Sequence, residues 1–301
     1  MRPQHVELRR QFPSLRRLGI AVEHFPAYRN PRPARPITHD ILYGSLLLSG
    51  EVTHHVDDTA YREAAGSLSI VHYGVAHQIV TGREPVEVFN LYLDPQRHAL
   101  PALPSAIAAQ VHRLLALHAG LGHRLNRLTR VTLLEPARTV AWLHALAHEQ
   151  GRGDPAGDAA LLALSQLLLL DIGRAVAAQE GPVAVGAEVD PRMEAVRAHL
   201  DTRFADEIAL ADLARLAGLS APHLCRRFAR YAGCPPFTYL RNRRLADAML
   251  RLRSGDERVL AIALACGFSD LAHFNRCFKA AAGCTPRAYR ARFRAADHAD
   301  G

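Results

Sequence analysis

Lysine is almost missing: of the 37 lysine and arginine residues in this 301-residue chain, only Lys279 is lysine. Cysteine is scarce. The five residues (Cys225, Cys234, Cys266, Cys277 and Cys284) are odd in number and none forms a C-x-x-C pair. That argues against a disulfide framework or a zinc site and for free thiols in a reducing compartment. No apolar run reaches the roughly 18–20 residues of a membrane span. The longest, 159–170, is interrupted by Ser165 and Gln166 and stopped by Asp171. The opening Met1-Arg2-Pro3-Gln4-His5 leads into charge, so no secretory leader is read. There is no Ser-His-Asp order, no glycine-rich phosphate loop and no pair of carboxylates to carry hydrolytic or phosphoryl chemistry. These absences point to a soluble cytoplasmic protein that is not an enzyme, with no cofactor, no metal and no membrane partner.

Half of the chain is apolar, 49%, enough to bury sizeable cores and to exclude global disorder. At roughly 150 residues per domain the length suits about two domains. Charge is unevenly placed. Residues 190–294 hold 19 basic and 10 acidic residues, whereas the remainder holds 18 and 19. All the excess positive charge therefore lies in one third of the chain, which points to a polyanionic partner.

Patterning divides the chain into three. Residues 20–95 carry short apolar runs closed by turn signals: Ile41–Leu48 before Ser49-Gly50, Val52–Val56 before Asp57-Asp58, then Leu68–Val71, Val75–Val80 and Val86–Leu93. Strands at this spacing predict a β-sandwich or barrel. Helical patterns follow at Ile107–Leu117, Pro136–His148 and Asp158–Ala178. The last repeats Leu161, Leu164, Leu168, Ile172 and Val176, a stripe expected to serve self-association. The Pro- and Gly-containing stretch from Gly181-Pro182 to Asp190-Pro191 reads as a linker, and residues 193–293 as helical. The expected fold is α+β, with domains at 1–102, 103–180 and 190–294.

The basic third repeats itself. Leu213-Ala214-Arg215-Leu216-Ala217-Gly218-Leu219-Ser220 returns 49 residues later as Ile262-Ala263-Leu264-Ala265-Cys266-Gly267-Phe268-Ser269. Leu224-Cys225-Arg226-Arg227-Phe228 returns 50 residues later as Phe274-Asn275-Arg276-Cys277-Phe278, and Gly233-Cys234-Pro235 as Gly283-Cys284-Thr285. Each copy has the marks of a helix-turn-helix. Ala214 and Ala263 allow close helix crossing, Gly218 and Gly267 suit a positive-φ turn, Ser220 and Ser269 are expected caps, and Gly233 and Gly283 end the second helix. At 100° per residue, Leu224, Phe228 and Tyr231 face inward, and so do Phe274, Phe278 and Ala281. Outward lie Pro222, Arg226 and Ala229 with Cys225 and Arg230 on the flanks, and Ala272, Arg276 and Lys279 flanked by His273 and Asn275. Arg226 and Arg276 thus hold one position in two copies, from which a guanidinium can fork onto guanine O6 and N7.

Residues 190–294 resemble the DNA-binding domain of AraC/XylS-type transcriptional regulators. The resemblance is carried by Ile208-Ala209-Leu210 through Phe228, Arg244-Leu245-Ala246-x-Ala248, Ile262-Ala263-x-x-Cys266-Gly267-Phe268-Ser269-Asp270, and Phe274-x-Arg276-x-Phe278-Lys279 through Thr285-Pro286-x-x-Tyr289-Arg290. It implies two helix-turn-helix subdomains joined by a long helix, Pro235–Leu252. Their recognition helices would enter successive major grooves about 34 Å apart on double-stranded DNA. It also implies activation through RNA polymerase. Arg226 and Arg276 are expected to specify sequence, while Arg227, Arg230, Lys279, Arg241, Arg243 and Arg244 touch phosphates or neighbouring residues. Pro222 and Cys225 are poor base readers.

Residues 20–95 are similar to the cupin-like effector domain of the same family, through His39-Asp40, Ser49-Gly50, Gly66-Ser67-Leu68 and Tyr73-Gly74-x-x-His77. Cupin enzymes hold a metal with several His and a Glu. Here Ile37 stands at the first His position and Tyr43 at the Glu position, which disfavours a metal. His39, Tyr43, Tyr73, His77 and Tyr92 are instead expected to line a polar pocket for a small hydroxylated or carboxylated effector. The sequence thus predicts a homodimeric, effector-responsive DNA-binding activator. A ligand-independent regulator whose barrel serves only assembly stays open, as does a metal-dependent cupin enzyme with a DNA-binding tail.

Overall fold

A computed structural model describes residues 3–32, 35–56, 59–115, 121, 128–179, 183–184 and 190–297. They form two compact units that divide near residue 187. The linker read at 181–191 lies largely outside the described residues, as does the Asp57-Asp58 turn.

The first unit begins with β1 (Gln4–His5), α1 (Leu8–Gln11) and α2 (Pro13–Leu18). Then come β2 (Ile20–Tyr28), β3 (Ile37–Thr38), β4 (Leu42–Ser49), β5 (Glu51–Val56), β6 (Thr59–Ala64), β7 (Ser67–Val71), β8 (His77–Thr81) and β9 (Val86–Leu93). The unit closes with α3 (Ser105–Leu114), β10 (Leu128–Thr132), α4 (Pro136–Arg152), α5 (Pro155–Ala178) and β11 (Val183–Ala184). Among the described residues the strands form a five-stranded sheet, β1-β3-β8-β5-β6, and a six-stranded sheet, β11-β10-β7-β4-β9-β2.

The six-stranded sheet is covered on both faces, and alternation along each strand decides which side chain goes where. Leu42 and Leu46 of β4 join Ile20, Val22, Ile70, Phe89 and Leu91 in a core with Val111 of α3, Leu143 and Leu146 of α4, and Leu161 and Leu168 of α5. Tyr43, on the same strand, joins Ala21, Val71, Tyr92 and Leu128 in a second core with Val56 of the other sheet. The architecture is helix layer, sheet, sheet. It explains why the apolar run read at Ile41–Leu48 does not alternate with polar residues: β4 is buried on both sides from Leu42 to Leu47.

Two expectations are corrected here. The stripe Leu161, Leu164, Leu168, Ile172 and Val176 is expected to serve self-association, but Leu164 packs half-buried against the core shared by the helices and the sheet, and the other four are at most 1% exposed and belong to it. Their cover comes from their own chain. The helices of the 103–180 region therefore do not stand apart from the sheet. Moreover, the apolar run does not stop at Asp171. By length and composition α5 could cross a bilayer, with mean hydropathy 1.7 over its most apolar window, yet half of that window is buried in this core. Asp171 fits there because Arg138 grips its carboxylate with two hydrogen bonds, 2.8 and 2.7 Å, and the Trp142 indole N–H donates a third at 3.1 Å.

The second unit is helical: α6 (Pro191–Thr202), α7 (Leu210–Ala217), α8 (Ala221–Ala232), α9 (Pro236–Ser254), α10 (Val259–Ala265), α11 (Leu271–Ala282) and α12 (Pro286–Asp297). Asp190 caps α6 by accepting from the Arg192 N–H. Tyr239 of α9 donates to Asp201 of α6 at 2.9 Å, tying the long helix to the first. The five cysteines are unpaired thiols.

Candidate nucleic-acid interface and barrel interior

The sequence repeat is a structural repeat. In the first copy α7 ends at Gly218 (φ +62) and α8 at Gly233 (φ +78). In the second, Gly267 (φ +83) and Gly283 (φ +71) take the same places after α10 and α11. Leu224 and Phe228, like Phe274 and Phe278, are fully buried. Phe228 meets the ring of Tyr239 edge-on at 5.6 Å, and Phe278 meets Tyr289 in the same way at 5.3 Å. Between the modules runs α9, whose 19 residues span roughly 28 Å at helical rise.

These inward anchors fix what faces out. Pro222, Arg226 and Arg230 are exposed on α8, with Cys225 half-buried. Ala272, His273, Asn275, Arg276 and Lys279 are exposed on α11. The ten expected interface residues thus lie on two helices; among the described residues Arg226 and Arg276 make no ion pair within 4 Å, and the charge of Arg276 helps to hold the Asp270 carboxyl low. Arg227 differs. It is half-buried, and its Nε donates to Asp190 at 2.5 Å. Burial works against ionisation of Asp190, but Arg227 and the backbone N–H groups of Met193 and Arg192 outweigh it and hold the carboxyl below its usual range. Arg227 is therefore a strut between α8 and the start of α6. Arg243 and Arg244 also serve neighbours: Arg243 lies 4.5 Å above the Phe204 ring, and Arg244 donates to the carbonyls of Phe204 and Asp206 at 2.7 and 2.8 Å. Arg241 is exposed.

The expected serine caps are also corrected. Ser220 precedes α8 without a side-chain cap bond. At α11 the cap is Asp270 rather than Ser269, accepting from the N–H groups of Ala272 and His273 at 2.9 and 3.0 Å. One outward residue escaped the sequence reading: His223, exposed on α8 one position from Pro222. The 50-residue offset that pairs Arg226 with Arg276 also pairs His223 with His273, and that signal was available.

In the first unit, four of the five expected pocket residues come together. His39, His77, Tyr43 and Tyr92 are buried, 2–5% exposed. The His39 ring lies 5.1 Å from His77 and 5.6 Å from Tyr43, Tyr43 stacks on His77 at 4.8 Å, and Tyr92 is 5.8 Å from Tyr43. Tyr73 does not join them; it is half-buried against the core on the helix side of the six-stranded sheet. Instead the structure adds His54 and Glu63. Strand β5 buries Val52, His54 and Val56 in alternation, so His54 points inward, 5.5 Å from the His77 ring. A strict two-residue period would have placed it.

Hydroxyls and imidazoles are held differently. Tyr43 donates to Asn90 at 2.9 Å and Tyr92 to Glu23 at 2.8 Å, while burial pushes both phenols above their usual range. His54 Nδ1 lies 3.0 Å from Glu63. Burial opposes ionisation of Glu63, but its bond and charge contact with His54 and the nearby Arg130 hold its carboxyl low. An ionised Glu63 can only accept, so Nδ1 of His54 carries a proton. His77 Nδ1 faces the Val75 carbonyl at 3.4 Å, so in the neutral ring Nδ1 is the donor and Nε2 a bare lone pair. Both Nε2 atoms are buried without a hydrogen-bond partner. Burial lowers the His39 pKa to about 4 and drives that of His77 below the usual range, so the rings are neutral. Among the described residues no three His, Cys, Asp or Glu side chains are arranged to hold a metal ion; the donor set does not fit one.

Residues 213–292 match the family model described as a helix-turn-helix domain. The transcriptional activator RhaR of Yersinia pestis is 28% identical over 263 residues, covering 85% of this chain and 84% of its own. The activator RhaS of an Enterobacter species is 32% identical over 161 residues, 53% of this chain and 51% of its own. A solved structure of a probable AraC family transcriptional regulator from Rhodopseudomonas palustris is 27% identical over 35% of this chain and 98% of that chain, with a TM-score of 0.33. With its paired helix-turn-helix modules and its likeness to RhaR along most of its length, the chain resembles DNA-binding transcriptional regulators of the AraC/XylS type.

Proposed function

We propose that this regulator binds double-stranded DNA as a homodimer, with α8 and α11 in successive major grooves, and activates transcription through RNA polymerase when a small uncharged, hydroxylated molecule occupies the barrel. The observation that carries the DNA reading is the pair of exposed, equivalently placed guanidinium groups of Arg226 and Arg276. Activation is supported by the relatives, which are named activators. A second copy has a face to use: Leu162 and Leu167, 38% and 39% exposed, with exposed Ala159 and Ala163 on the outer side of α5.

The effector chemistry rests on the His77 tautomer. The buried, neutral His77 presents an Nε2 lone pair that accepts a hydrogen bond and cannot donate one. A hydroxyl satisfies it; a carboxylate sets lone pair against lone pair. A polar atom left unpaired in such a place costs about 1–3 kcal/mol, and that is what a matching ligand relieves.

The DNA reading is tested by titrating the full chain onto its own upstream DNA at several salt concentrations. Affinity is expected to fall steeply with salt. Arg276→Ala is expected to relax selection at one base pair by about 1–3 kcal/mol. Leu162→Glu/Leu167→Glu in the same titration should bind one chain where the parent binds two. An Arg276→Ala protein that discriminates among sequences as the parent does would remove the readout assignment. For the effector, a thermal-shift panel of neutral polyols and sugars against carboxylic acids should raise the melting temperature only with the former. A shift confined to the acids would reverse the tautomer argument, and silence across the panel favours a barrel that serves only assembly.

A further inference from the structure

Across the 50-residue offset the outward positions of α8 and α11 mostly disagree. Pro222 faces Ala272, Cys225 faces Asn275, Ala229 faces Lys279 and Arg230 faces Ala280. Two positions agree: His223 with His273, and Arg226 with Arg276. All four of these side chains are exposed. Within each helix they are three residues apart and so share one face. The frames that carry them are also alike, with a left-handed glycine before each helix, another after it, and the same inward Phe edge-on to the same following Tyr. An identical pair of donors on an identical frame presents one chemistry twice.

We infer that the two modules read the same short element. The DNA site then carries that element twice, about one helical turn apart, and His223 and His273 are specificity-determining residues beside the arginines. This rests on the reading that α8 and α11 enter the major groove. The spacing fits the chemistry. Three residues of helix rise about 4.5 Å, and base pairs on one strand step about 3.4 Å, so the imidazole and the guanidinium reach the same or adjoining base pairs. The guanidinium forks onto guanine O6 and N7, and an imidazole N–H donates to the N7 of a neighbouring purine. The shared core is therefore guanine beside a purine. Outside it the two copies diverge, because Asn275 and Lys279 can read or grip flanking positions where Cys225 and Ala229 cannot.

The test is selection from randomised duplexes with the full-length protein, repeated with His223→Ala, His273→Ala, Arg226→Ala and Arg276→Ala. All four are exposed positions, and circular dichroism checks that each variant folds. The parent is expected to enrich the same guanine-purine step twice, about 10 base pairs apart. Each histidine variant should lose about tenfold in discrimination at one base pair of its own copy and leave the other copy intact. Enrichment of two unrelated elements overturns the inference while leaving the groove reading standing. So do histidine variants that weaken every sequence equally, as a phosphate contact would. No enrichment by the parent, together with arginine variants that behave like it, overturns the groove reading and the inference with it.

Discussion

Gly267→Ala is expected to destabilise the second unit by about 3–5 kcal/mol, near the upper end for a single substitution. Two effects add. Gly267 has φ +83, in the left-handed region where a β-carbon is unfavourable. The added methyl would also lie 2.7 Å from the carbonyl oxygen of Ala205 and 3.0 Å from its Cα. That obstacle is backbone, and it is clamped: Arg244 holds the carbonyls on both sides of Ala205, those of Phe204 and Asp206. Gly218, the counterpart in the first module, has φ +62 but nothing within 4 Å of an added Cβ. Gly218→Ala should therefore cost only about 1 kcal/mol. Urea unfolding of the two variants, followed by circular dichroism, measures the difference. Equal losses would show that Ala205 yields freely and that the close approach is unimportant.

Acid should unfold the first unit before the second. An unfolded histidine titrates near about 6.5, whereas burial lowers His39 to about 4 and also depresses His77. Between those values the unfolded chain binds protons that the folded chain does not, so stability is complete above about pH 6.5 and declines as pH falls toward 4. His39 alone accounts for about 3 kcal/mol over that interval, and His77 adds in the same direction. Glu63, whose carboxyl is held low, adds a further loss below the ordinary carboxylate range of about 4.3. Trp142 is the chain's one tryptophan and lies in the first unit, so its fluorescence reports that unit separately. Denaturation curves from pH 8 to 4 should show a falling free energy in the parent and a shallower fall in His39→Phe. A parent curve flat between pH 6.5 and 5 would mean that the imidazoles protonate freely.

Much of both units was legible from the sequence. The runs at Ile41–Leu48 and Val86–Leu93 became β4 and β9 with ends shifted by a residue or less, and the helix at Pro136 runs on to Arg152. The duplicated module was legible in most detail because its signals are local: a glycine at each turn and a buried pair four residues apart. What failed was long-range. A leucine stripe states that Leu161 and Val176 need cover, not whose, and α3 and α4 supply it. Arg227 finds Asp190, 37 residues away, which no local pattern announces. Tyr73 lies in the turn after β7, where strand alternation no longer fixes a side. His54 was missed for the opposite reason, as its position inside the alternation of β5 was readable but its partner Glu63, on the next strand, was needed to give it a role.

One strand joins the two chemistries of the first unit. Tyr43 on β4 lies against His39 and His77, and Leu42 and Leu46 of the same strand share a core with α5, the helix that carries Leu162 and Leu167 outward. A diaphragm loaded on both surfaces has no slack. In a close-packed interior, whatever displaces the tyrosine by a fraction of an ångström is felt one strand-thickness away by the leucines behind it.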